Sequence, residues 1–121
     1  MKRFAITLML FSPVVGAYTV NADEDSCWHP PSHCIQASAS WSQYDSNKLI
    51  VRYQNTCAHR IYVKFCNARQ NGNQDCGASG ISGYGRYSWY TYNASGHYSY
   101  KTIGVLQPSK DWVCSSKVTG W

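Results

Sequence analysis

Apolar and polar positions alternate with period two along most of this chain. Successive side chains of an extended strand point to opposite faces, so such alternation predicts half-buried strands. Lys48-Leu49-Ile50-Val51-Arg52-Tyr53 is the clearest case, with Leu49, Val51 and Tyr53 on one face. Residues 60–66 form a second, with Ile61, Val63 and Phe65 inward and Tyr62 and Lys64 outward. The short link 54–59 predicts a hairpin between them. Residues 35–41 predict an earlier strand. Residues 86–92 and 97–103 are rich in the aromatic and β-branched residues that favour strands, and Asn93-Ala94-Ser95-Gly96 between them has turn chemistry. Residues 111–114 predict a short last strand, and 77–85 a glycine-rich loop or irregular edge. No segment holds a helical period. The sum is an all-β fold, a small disulfide-stabilised antiparallel β-sandwich or barrel. With no internal repeat and no long linker, residues 23–121 read as a single domain.

The N-terminus breaks this pattern. Lys2 and Arg3 precede an apolar run over residues 4–11, extended by Val14 and Val15. The run is too short to span a bilayer, which takes about 20 apolar residues. It has the proportions of an export signal, residues 1–22. Small residues offer cleavage after Ala17 or after Ala22, and the second leaves the acidic start Asp23-Glu24-Asp25. The short basic start suits a bacterial signal. A secreted or periplasmic protein is expected, with no membrane insertion after cleavage.

That compartment gives the cysteines a role. Cys27, Cys34, Cys57, Cys66, Cys76 and Cys114 all follow the leader. Six cysteines in an oxidising compartment predict three disulfides. Proximity along the chain suggests Cys66 with Cys76 across a polar loop and Cys27 with Cys34 around Pro30-Pro31. Cys57 with Cys114 then remains.

Charge changes the picture next. The whole chain carries net +5. Without Lys2 and Arg3, nine bases face six acids, a net +3. From Ser26 onward the same nine bases face only Asp45, Asp75 and Asp111, a net +6. The body is basic and its leader acidic, which favours anionic partners. The bases are scattered singly, so nucleic acid is not an expected partner.

Three stretches concentrate chemistry. Cys27-Trp28-His29-Pro30-Pro31-Ser32-His33-Cys34 holds metal-ligating residue types. Oxidation of its thiols leaves only two imidazoles, so no metal and no cofactor are expected, and Trp28 is read as a contact residue instead. The second stretch is aromatic: Tyr84, Tyr87, Trp89, Tyr90, Tyr92, Tyr98 and Tyr100. As one hairpin it would present rings on both faces, only one of which is core. Aromatic rings stack on sugars and dominate protein interfaces. Trp89, Tyr90, Tyr92, Tyr98 and Tyr100, flanked by Arg86, His97 and Lys101, are therefore the leading binding candidates. The third, Cys76-Gly77-Ala78-Ser79-Gly80-Ile81-Ser82-Gly83-Tyr84-Gly85, matches neither a P-loop nor a nucleophile elbow.

No pair of facing carboxylates is evident, and the spacing of His29, His33, His59 and His97 singles out no acid and base. The expected function is that of a non-catalytic binding module with an aromatic and basic face, for a cell-envelope glycan or a protein partner. A small inhibitor or immunity protein that blocks an enzyme is the first alternative, and a small secreted ribonuclease-like enzyme the second.

Overall fold

The computed structural model describes residues 20–118. The expected export signal falls outside the described residues except for its last three positions.

Seven strands follow in chain order: β1 (Cys27–Trp28), β2 (Ile35–Trp41), β3 (Leu49–Asn55), β4 (Ile61–Arg69), β5 (Gln74–Ile81), β6 (Arg86–Thr91) and β7 (Ala94–Val105). All pairings are antiparallel. The order β1-β7-β4-β5 makes one sheet and β2-β3-β6 the other. Leu49, Val51 and Tyr53 of β3 and Ile61, Val63 and Phe65 of β4 turn inward and are buried. The all-β, disulfide-stabilised sandwich expected from the alternation is what these residues build.

Aromatic rings join the two sheets. Tyr53 stacks on Phe65 with ring centroids 5.3 Å apart. Tyr87 and Trp89 of β6 reach the same Phe65 ring at 5.7 and 5.1 Å. Each fully buried large apolar side chain contributes about 1.5–3 kcal/mol. A polar bridge runs beside this cluster. Buried Asn67 donates to Thr91 Oγ1 at 3.1 Å, and Thr91 donates to Asp75 at 2.6 Å. Together with Trp89 Nε1, which donates to the Asp75 carbonyl at 3.3 Å, this ties β6 to β5 across the sandwich.

Two expected hairpins are absent. β3 and β4 lie in different sheets, as do β6 and β7. Asn55 causes the first crossing. Its buried side chain donates to the carbonyls of His59 at 2.8 Å and Ile81 at 3.1 Å and accepts from the Cys57 amide at 3.0 Å. At the second crossing Asn93 takes a left-handed φ of 55°. Its carbonyl accepts from Gln70, and the next amide, Ala94, donates to Asn47, so loops of both sheets hold the turn.

The disulfides correct two expected pairings. Cys66 is bridged to Cys76, as expected, but Cys27 pairs with Cys114 and Cys34 with Cys57. Pro30-Pro31 does not fold the segment back on itself. It carries the chain from β1 in one sheet to β2 in the other, so Cys27 and Cys34 part company. Residues 111–114 are also not a strand. They belong to a short helix, α1 (Asp111–Ser115), that follows a 3₁₀ turn opened by Pro108. Proline suits the first turn of a helix, and four residues are too few to separate the two periods. The glycine-rich stretch is a true strand as far as Ile81, and it forms the edge of its sheet. A Cβ at Gly77 would stand 2.9 Å from both Phe65 and Trp89, so glycine lets those rings lie on the strand.

Trp28 crosses Gly104 in the same manner, and a Cβ at Gly104 would fall 2.1 Å from the indole. Gly104→Val is expected to destabilise the fold by at least ~1–3 kcal/mol through overpacking. Denaturant unfolding checks this, and an unchanged midpoint would show that Trp28 does not hold this position.

Candidate functional site

The structure divides the expected binding residues among three environments. Trp89 and Tyr98 turn inward and pack on the core. Tyr100 also turns inward, with its ring 5.4 Å from that of Tyr53, yet keeps partial exposure. Trp28 is buried against Gly104 rather than displayed. His97 and Lys101 alternate with these tyrosines and so face outward from the four-stranded sheet. Arg86, Tyr90 and Tyr92 belong to the opposite side of the molecule, where Arg86 and Tyr90 face outward from the three-stranded sheet. The aromatic stretch is therefore not one patch.

The outer face of the three-stranded sheet gathers other residues around this last group. Register places Ser40, Ile50 and Tyr90 in one row, Ser38, Arg52 and Ser88 in the next, and Gln36, Gln54 and Arg86 in a third. No carboxylate belongs to these rows. Among the described residues neither Arg52 nor Arg86 has an acidic partner. Arg52 donates to Ser40 Oγ at 2.8 Å, which extends the guanidinium across β2. It stands between two shallow depressions. One, of about 450 Å³, is lined by Gln36, Ser38, Gln54, Arg86 and Ser88, and the other, of about 420 Å³, by Ser40, Trp41, Tyr44 and Ile50. At the end of the face Lys48 Nζ sits 4.1 Å from the centre of the Tyr90 ring and 5.3 Å from that of Tyr92. A cation over both rings holds them in place by its attraction to the π faces. It also takes up one face of the Tyr90 ring, where a sugar could otherwise stack.

Lys48, Arg52 and Tyr44 were not expected in the site, and Trp41, which lines the second depression, turns inward at the end of β2. Period two places Arg52 on the outer side of β3, but only the β3–β6 pairing sets it beside Ser88 and Arg86.

The other broad face is partly covered. Cys27, Ile103, Val105 and Cys114 form a second small core beneath α1, with Tyr62 and Val118 against it. Arg60 binds Asp111 through two hydrogen bonds, at 3.1 and 2.5 Å, and so fixes the start of α1. Lys117 reaches back to Asp23 at 2.7 Å and Asp25 at 3.1 Å. The acidic leader is thus bound to the C-terminal end of the fold, and it leaves the outer face of the three-stranded sheet unopposed.

Other reactive groups are dispersed. His33 lies near the sulfurs of Cys34 and Cys57, but these are bonded to each other and offer no thiolate to a metal. His97 lies about seven residues of strand from the His59 end of the sandwich, roughly 23 Å at strand spacing. Tyr84 stands on the turn after β5 with a φ of 62° and 68% exposure. Its amide donates to Cys57, and Gly83 below it lies so close to the Ala58 carbonyl that no side chain would fit.

Comparison with protein-family models, curated proteins and solved structures finds no significant match for this chain. What the residues define is a small disulfide-bonded antiparallel β-sandwich with one basic, aromatic face. Among the described residues no helix is long and apolar enough to cross a membrane, and three disulfides fit maturation in an oxidising environment.

The leader tether has a defined pH dependence. The Lys117 ammonium, hydrogen-bonded to Asp23, lowers that carboxyl from 3.8 to about 2. A depressed value means that the tether is at full strength above pH ~4 and is lost as pH falls through about 2. NMR titration of the Asp23 carboxyl is expected to give a midpoint near 2, and a midpoint near the ordinary 3.8 would show that the leader is not bound.

Proposed function

We propose that this chain is an exported, non-catalytic binding module whose partner is a protein seated on the outer face of the three-stranded sheet. One observation carries the reading. Arg52 and Arg86 are exposed in strand rows that hold no carboxylate, while the other two described arginines, Arg60 and Arg69, are ion-paired. Unneutralised guanidinium groups on a sheet with aromatic neighbours suit an acidic protein surface, since arginine and tyrosine are favoured interface anchors. A protein fits better than a glycan because Lys48 already lies over one face of the Tyr90 ring, a face that sugar stacking would use. The three disulfides, the oxidising environment they fit and the expected export signal over residues 1–22 together support release to the periplasm or the cell exterior.

Blocking of a partner enzyme is the second reading, and Tyr84 favours it. The ring is highly exposed on a turn held by the Cys57 carbonyl and by close packing at Gly83. A preorganised loop binds with less ordering cost.

Immobilised mature protein should capture a stoichiometric acidic protein from the envelope fraction of its source. The double variant Arg52→Glu/Arg86→Glu is expected to lose it, by ~100-fold or more in affinity if each charge is worth at least 1.4 kcal/mol. Ser99→Glu, on the opposite sheet, is expected to retain it. Equal capture by the arginine variant would sink the sheet-face reading. Loss only in Tyr84→Ala would transfer the site to the loop.

A further inference from the structure

Among the described residues, nothing pairs with the β2 edge of the three-stranded sheet. Two backbone bonds flank β2 and set its ladder: Ser42 N donates to Lys48 at 2.9 Å, and Thr56 N donates to Cys34 at 2.8 Å. Hydrogen-bonded pairs alternate in an antiparallel ladder, so Gln36, Ser38 and Ser40 bond to β3. The amides and carbonyls of Ala37 and Ala39 then point away from the sheet, and among the described residues no group bonds to them.

This edge lacks the usual protection. Sheet edges are normally blunted by charge, proline, a bulge, brevity or a covering element. β2 reads Ile-Gln-Ala-Ser-Ala-Ser-Trp, seven residues with no charge and no proline, in unbroken register with β3. On the opposite flank β5 and β6 are tied together through Asp75, Thr91 and Trp89. On the β2 flank the neighbouring strand β7 is covered by β1 only at Gly104 and Val105, and β7 begins at an irregularity of its pairing with β4.

Side chains show that the interior is open there too. Ala39 and Trp41 turn toward the core, as their partners Val51 and Leu49 do, yet both are exposed. Tyr100, also inward, is 36% exposed. Behind them the Tyr53 hydroxyl is buried with no hydrogen-bond partner among the described residues.

We infer that β2 receives an extended segment of the partner protein as an added antiparallel strand, with acidic and apolar residues alternating along it. This rests on the sheet-face reading and names how the partner engages that face. Main-chain bonds to Ala37 and Ala39 supply pairing, and alternate side chains supply specificity. One set of side chains lies on the inner side, over Ala39, Trp41 and Tyr100. The other set lies on the outer side, beside the guanidinium that Ser40 draws across β2. Charge selects the occupant: Arg52, which Ser40 draws toward this edge, calls for a carboxylate, and a second copy of this chain would bring a further arginine instead.

The test uses the mature protein and an end-blocked nonapeptide of alternating Glu and Val. The peptide is expected to slow amide exchange at Ala37 and Ala39 by ~10-fold or more, while a Lys-Val peptide leaves both unchanged. Ala39→Pro removes one outward N–H and leaves the β3 ladder intact, so it is expected to weaken the Glu-Val peptide by ~10-fold or more. Exchange on the unsubstituted protein keeps the test valid if that variant fails to fold. Full binding by Ala39→Pro, with binding lost in Arg52→Glu/Arg86→Glu, would overturn the added strand and leave the sheet-face reading standing. Undiminished binding by the arginine variant would overturn both. Protection of Ala37 and Ala39 in a dimer of the free protein would assign the edge to a second copy and overturn the acidic occupant.

Discussion

The contact on which the fold depends is the stack of Tyr53 on Phe65. Tyr53 belongs to β3, the middle strand of one sheet, and Phe65 to β4, an inner strand of the other. Both are fully buried. Once they meet, strand geometry leaves little freedom. Period two sends Val51 and Tyr53 inward and Arg52 outward. Pairing of β6 on β3 then sends Tyr87 and Trp89 inward to the same cluster and Arg86, Ser88 and Tyr90 outward. A slip of one residue would exchange the two sets and put Arg52 into the core, an outcome that burial of an unpaired charge forbids. The basic face is thus the reverse side of the aromatic core.

The chain reaches this arrangement by crossing between sheets rather than by successive hairpins. Each crossing is fixed by polar groups: Asn55 before β4, and Asn93 with Asn47 before β7. The disulfides act on the same long-range connections. Cys27–Cys114 joins residues 87 apart in sequence and holds the two ends of the fold together. Closing a long loop restricts the unfolded chain more than closing a short one in the chain-entropy account. The Lys117 contacts with Asp23 and Asp25 lie beside that bridge, so the acidic leader serves as a local counter-charge at the covered face.

Much of this was legible in the sequence, for a physical reason. Alternation is a local property, and it located β2, β3, β4 and β6 to within two or three residues, with Leu49, Val51, Tyr53, Ile61, Val63 and Phe65 correctly inward. Sheet membership is not local. Neighbouring strands of a sandwich can cross as well as pair, so the links 54–59 and 93–96 looked like hairpins. The disulfide expectation failed on the same ground, since Cys27 and Cys34 are close in sequence but Cys27 lies in β1 and Cys34 in the turn that leads into β2 of the other sheet. The site followed suit. A ring-rich stretch of sequence became inward rings on two sheets, and the outward face drew Arg52 from a strand whose core pattern had masked its other side, and Lys48 from the residue before it.

Register is therefore the central claim, because it decides both which side chains face outward and which amides of β2 are open. Amide exchange of the free mature protein reads it directly. The account predicts slow exchange at Gln36, Ser38 and Ser40 and fast exchange at Ala37 and Ala39. The inverse pattern, or equal protection along the whole of β2, would contradict it.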